Sequence, residues 1–138
     1  MKQTKDNCFI DTNILVYCYT KDEPLKKEKA LLVVNKPLTF ISTQVLNEIS
    51  NILKKKFDHS YADIIETINE LSTDFNIYIN KPVTIIKACN IAKKYHFSFY
   101  DSLIIAAALE CNCKIIFSED MQHKQIIENT ITIINPFL

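Results

Sequence analysis

The stretch NCFIDTNILVYCYT, residues 7–20, opens as an apolar run, breaks at Asp11, Thr12 and Asn13, and then resumes periodic apolar character. The first part, short and rich in β-branched and aromatic residues, reads as a strand, and the resumed pattern as a helix. A carboxylate therefore stands where a buried strand hands over to a helix. Taken alone, Asp11 is adequately explained as a helix cap. Whether it is more than that depends on acids at equivalent junctions elsewhere in the chain.

The same alternation continues outward from this stretch. CFID, LTFIS, NIYIN, KIIFS and TITIIN read as strands, and helical patterns lie between them at residues 13–21, 24–35, 43–57, 60–73, 82–95 and 100–111. Pro24 and Pro82 suit first-turn positions, and Thr43 begins a helix directly after a strand. Strands alternating with helices, several of them apolar on both faces, predict an α/β fold with a parallel sheet of about five strands and crossover helices. Ligands bind such sheets beyond the carboxyl ends of the strands, near the point where strand order reverses. Acids at strand C-termini are thus the ones to follow.

Composition narrows the function classes. The 138 residues fit one domain, 1–138, and 48% hydrophobic content supports a real core. The formal net charge is +0, which argues against a broadly basic, non-specific nucleic-acid binder. Every basic residue is lysine, so no arginine fork is present for bidentate recognition. Glycine is wholly absent, which excludes phosphate-cradling glycine loops of the Walker and dinucleotide-binding kinds. It also requires other residues in left-handed turns, as expected in FDHS and CNCK. Cys8, Cys18, Cys89, Cys111 and Cys113 contain no C-x-x-C pair, and four of them lie in apolar surroundings. They read as reduced core thiols rather than zinc ligands. With no signal-peptide pattern and no apolar stretch of ~18 residues, the expected setting is cytoplasmic, away from the membrane.

Four acidic positions stand out. Asp11 ends the first strand; Glu119 and Asp120 follow the fourth, in KIIFSEDMQ. Asp101 opens YDSLIIAAALEC, whose apolar residues surround the helical axis, so this helix is buried rather than amphipathic. Glu48 lies in TQVLNEISNILKKK, about 40° beyond Ile52 at about 100° per residue, at the rim of the apolar stripe. Each has a plain explanation as a cap or boundary charge. Several carboxylates meeting beside a core would repel one another unless a cation neutralised them. An all-oxygen set selects a hard ion, Mg²⁺ or Mn²⁺.

These residues carry a resemblance. FIDTNILVY, TQVLNEI, SFYDSLIIAAAL and IIFSEDMQ, with the terminal IINPF, make the chain similar to the PIN-domain family of metal-dependent nucleases over essentially its whole length. The resemblance implies a three-layer Rossmann-like fold with strand order 3-2-1-4-5. It implies a catalytic, metal-holding quartet of Asp11, Glu48, Asp101 and Asp120, with Ser118 as a further catalytic residue and Thr12 and Asn13 as the polar pair that meets substrate. Small proteins of this family are most often VapC-type toxins, endoribonucleases held silent by an antitoxin protein, and a homodimer is expected on the same ground. Relatives commonly carry Gly where this chain has Lys124, and Glu119 adds an acid of open role.

The reaction expected is Mg²⁺- or Mn²⁺-assisted hydrolysis of RNA, with in-line attack of water leaving a 5′-phosphate and a 3′-hydroxyl. Lys54–Lys56 and Lys26, Lys27 and Lys29 read as solvated faces or, alternatively, as attraction for the phosphate backbone. His59, His96 and His123 show no ligand spacing, and only His123 lies near the last acid. Tyr17, Tyr19, Phe99 and Tyr100 are candidates for packing or for stacking on bases. Competing readings are a phosphatase-like domain, a silent interaction module, and an RNA-processing nuclease that is no toxin. DTN lacks the second acid of a D-x-D signature, which weakens the first of these.

Overall fold

The computed structural model of the protein describes residues 6–138. A sheet in the order β3-β2-β1-β4-β6-β5 forms its centre. Strand β1 (Cys8–Ile10) pairs in parallel with β2 (Thr39–Ser42) on one side and β4 (Ile115–Phe117) on the other. Beyond them lie β3 (Asn76–Tyr78) and β6 (Ile131–Ile134), also parallel. All three residues of β1 are buried, as a strand flanked by neighbours and covered on both faces requires.

The five parallel strands are those expected from the sequence, in the expected order. The correction is at the edge: a sixth strand, β5 (Ile126–Ile127), runs antiparallel to β6. At two residues it is too short to leave a period. Its hairpin turns on Glu128 and Asn129, both at φ 52°, the paired left-handed conformation that tight two-residue turns require.

Helices α2 (Pro24–Val34), α3 (Thr43–Lys55), α4 (Tyr61–Asp74), α5 (Pro82–Tyr95) and α6 (Phe99–Glu110) match the predicted segments closely. The first helix is shorter than the expected 13–21: α1 spans Thr12–Val16, and a 3₁₀ turn over Tyr17–Tyr19 completes the segment. Ser42, Ser60 and Ser98 cap α3, α4 and α6, each hydroxyl accepting from a backbone N–H in the first turn. Ser102 through Ala108 are all buried, so α6 lies within the core as its uniform apolarity predicts.

Without glycine, left-handed positions fall to other side chains. Asp58 in FDHS (φ 51°) and Asn112 in CNCK (φ 57°) are where they were expected. Lys124 also adopts φ 70°, a conformation that glycine takes at no steric cost. Cys8, Cys111 and Cys113 are buried thiols, and Cys89 alone is exposed. Among the described residues, no helix is long and apolar enough to cross a membrane.

Candidate active site

Strand order reverses between β1 and β4, so the loops leaving them open onto one crevice. The Asp11 backbone N–H donates to the Phe117 carbonyl at 3.0 Å, and that of Ser118 to Ile134 at 3.0 Å, holding both strand ends in register. The side chains that follow are then brought together across more than a hundred residues of sequence.

Asp11 is buried at 6% exposure. Its Oδ1 accepts from the Thr12 backbone N–H at 2.8 Å, and its Oδ2 from the Ser118 hydroxyl at 2.8 Å and the Asn13 amide at 3.2 Å. The same Asn13 Nδ2 lies 3.0 Å from Asp120 Oδ2 and 3.3 Å from Ser118 Oγ, while Asn13 Oδ1 accepts from the Glu119 backbone at 3.1 Å. One amide thus ties the end of β1 to the loop after β4. The Thr12 hydroxyl donates to Glu48 Oε1 at 3.0 Å, which brings the rim of α3 to the same place. Asp101 sits in the first turn of α6, where the Ser98 cap and the helix dipole favour a negative charge.

Electrostatics mark Asp11 apart from an ordinary cap. Burial pushes its carboxyl from 3.8 up to about 7; the Ser118 and Thr12 hydrogen bonds oppose this, and the charges of Glu48 and Asp101 add to it. Among the described residues, no lysine pairs with Asp11, Glu48, Asp101 or Asp120; the ion pairs are Lys26–Glu119 and Lys94–Glu128. Among the described residues, no three His, Cys, Asp or Glu side chains stand close enough together to hold a metal ion as they are placed. Asp11, buried without a counter-charge and driven toward neutrality, is the member of this set that a nearby cation would relieve most.

Glu119, whose role the sequence left open, is occupied elsewhere. Lys26 Nζ lies 2.6 Å from its Oε1, and the Tyr17 hydroxyl donates to its Oε2 at 2.6 Å. Burial raises this carboxyl, but Lys26 and Tyr17 outweigh burial and hold it below the ordinary glutamate range. Tyr17 also packs edge-on against Phe137, with ring centroids 5.0 Å apart. Sequence reasoning did not connect Lys26 and Tyr17 to this acid, since no short-range pattern links residues so far apart.

The terminal IINPF has a structural task. Asn135 donates its backbone N–H to His123 Nδ1 at 2.9 Å and its side-chain amide to the Glu119 carbonyl at 3.4 Å, bracing the loop that carries Asp120. His123 serves this brace. Lys54 is turned toward the Tyr61 ring, 4.6 Å from its centroid, as a packed and solvated face would be.

Comparison with curated proteins gives no match. Among solved structures, the chain resembles a toxin–antitoxin complex from Klebsiella pneumoniae at TM-score 0.72 and 20% identity, over 94% of this chain and 98% of that one. It resembles the sarcin–ricin-loop-cleaving toxin VapC20 of Mycobacterium tuberculosis at TM-score 0.67 and 18% identity, over 83% and 90% of the two chains. A third likeness is to VapBC2 of Rickettsia felis, bound to a DNA fragment from its promoter, at TM-score 0.65 and 17% identity, over 90% and 95%. At such identities these likenesses speak for the fold alone. The sequence itself goes further: residues 8–128 match the model of the PIN domain, and the chain belongs to the PIN-domain family.

Proposed function

We propose that this protein is a divalent-metal-dependent endoribonuclease, the toxin of a toxin–antitoxin pair, acting as one domain. The observation that carries the reading is the convergence of Asp11 and Asp120 at the reversal of strand order, with Glu48 and Asp101 close enough to raise the Asp11 carboxyl. Asp11, Glu48, Asp101 and Asp120 would hold Mg²⁺ or Mn²⁺. Such an ion, when bound, polarises the phosphodiester and assists ionisation of the attacking water.

The chain's own residues do the positioning. Ser118 and the Thr12 backbone fix both oxygens of Asp11, so that carboxylate is presented in one orientation. Thr12 and Asn13, expected to meet substrate, are proposed to act first by holding Glu48 and Asp120 in place. Lys26 and Tyr17 neutralise Glu119, which keeps a fifth negative charge from repelling the RNA. An antitoxin partner and a homodimer belong to the same proposal. The apolar side chains that α2 and α4 expose, Leu25, Leu32, Tyr61 and Ile65, supply surface for protein contacts.

The direct test incubates purified chain with RNA, with chelator or with added Mg²⁺ or Mn²⁺. Cleavage should require the ion and leave 5′-phosphate and 3′-hydroxyl ends. Undiminished cleavage in chelator, or 2′,3′-cyclic ends, would remove the metal from the proposal. Asn13→Ala is expected to lower kcat about ten- to a hundredfold with little change in KM, the usual cost of losing a group that orients ligands. An equal loss appearing wholly in KM would instead make Asn13 a substrate contact.

A further inference from the structure

Two clefts flank the acidic centre, and α3 lends residues to both. On the Asn13 side, a cavity of about 560 Å³ runs past Tyr17, Phe57 and Lys56, and one of its two carboxylates, Glu119, already has its partners. On the Glu48 side lies a cavity of about 450 Å³ walled by Gln44, Glu48, Asn80, Ile85, Tyr100 and Leu103. This second cleft contains polar atoms with nothing to bond.

Gln44 is only 7% exposed. Its Nε2 donates to the Tyr100 carbonyl at 3.1 Å, which fixes the amide orientation, because a carbonyl accepts only from the nitrogen end. Its Oε1 is left buried without a partner, and so is Asn80 Oδ1 on the same cleft. A buried acceptor without a donor costs free energy, and two on one cavity wall are a reserve that a donor-bearing ligand releases. Above them the Tyr100 ring is 65% exposed, immediately before Asp101 in the chain, with Ile85 46% exposed nearby.

We propose that this cleft is a nucleobase subsite that selects a base bearing an exocyclic amino group, adenine, cytosine or guanine, over uracil, and stacks it on Tyr100 beside the scissile phosphate. The inference rests on the ribonuclease reading for its substrate. Three features choose the occupant. Among the described residues, no lysine lines this cleft to hold a phosphate, so the ligand here is an uncharged part of the RNA. Tyr100, Ile85 and Leu103 offer an aromatic face and apolar sides suited to a flat ring. Both unsatisfied atoms are carbonyl oxygens and seek N–H donors. An exocyclic amino group supplies two, whereas uracil offers a single N–H between two carbonyls that face these oxygens unfavourably. Rotation of the Asn80 side chain on binding brings its buried oxygen to the donor, while Gln44 stays held by its bond to the Tyr100 carbonyl.

The experiment measures both cutting and binding. Cleavage sites in a randomised RNA are sequenced for the wild type and for Tyr100→Ala, Tyr100→Trp and Asn80→Ala. Binding of short oligoadenylate, oligocytidylate and oligouridylate to cleavage-silent Asp11→Asn protein, with and without the same changes, is read by fluorescence anisotropy. Expected are about tenfold or weaker binding of oligouridylate, a similar loss in Tyr100→Ala recovered in Tyr100→Trp, and a flattened base preference in Asn80→Ala. Equal binding of all three oligonucleotides, or a wild-type preference in every variant, overturns the subsite while leaving the nuclease intact. A Tyr100→Ala change that alters only oligomeric mass overturns it in favour of a protein contact. Base-selective binding by a wild-type protein that cuts no RNA upholds the subsite and removes the nuclease reading.

Discussion

Asp11→Asn is expected to lower RNA cleavage about a thousandfold or more while the protein keeps its fold. The substitution is nearly isosteric, and asparagine still offers an oxygen to the Thr12 N–H, which lies 2.8 Å from Oδ1 in the native chain. What disappears is the full negative charge at the most buried acid of the group, at 6% exposure. A hard cation bound chiefly through carboxylates and water depends steeply on each charge, and its stabilisation of the transition state is worth several kcal/mol. Asp120, by contrast, is solvent-exposed, and loss of its charge is partly made good by water. Single-turnover cleavage separates the two, since the Asp11 effect should fall on the chemical step rather than on RNA affinity. Circular dichroism verifies the fold in parallel. A folded Asp11→Asn protein that cleaves at near the native rate would leave Asp11 as no more than the cap of α1.

Much of this architecture was legible because its causes are local. A buried parallel strand must be apolar on both faces, and CFI is; a core helix must be apolar all round, and the segment from Leu103 to Leu109 is. Glu48 could be placed at the rim of α3 by periodicity, and it is half-buried there. The parts that escaped depend on distant partners or on backbone states with no side-chain signature. The bond of Lys26 to Glu119 spans 93 residues, and no spacing rule reaches so far. Leu38 takes a left-handed conformation at φ 60°, where residue preference does not nominate it. In a chain without glycine, Asp and Asn mark some turns, as at Asp58 and Asn112, and leave others such as Leu38 unmarked.

The metal-free protein should lose stability as pH rises from about 4 to about 7, and Asp11→Asn should abolish most of that loss. In the unfolded chain Asp11 ionises near its ordinary value of 3.8, whereas in the folded, metal-free protein burial moves it to about 7. Between those values the folded state holds a proton that the unfolded state has released. Stability therefore falls with increasing pH across this window and stays low above it. The linked penalty at pH 8 is on the order of a few kcal/mol, since each tenfold change in proton affinity corresponds to about 1.4 kcal/mol. Carboxyls held low by lysine, such as Glu119 and Glu128, act in the opposite direction, with their contribution lost as pH falls below the ordinary carboxylate range. They are common to both proteins and cancel in the comparison. Chemical denaturation in chelator at pH 5 and pH 8 measures the effect: Asp11→Asn should equal or trail the wild type at pH 5 and exceed it at pH 8. Adding Mg²⁺ or Mn²⁺ at pH 8 should raise wild-type stability and leave the variant nearly unchanged, because only the ionised carboxylate gains from the cation. Identical pH profiles for the two proteins would mean that the Asp11 carboxylate is fully solvated or already neutralised, and that the acids do not form the uncompensated cluster from which a metal requirement follows.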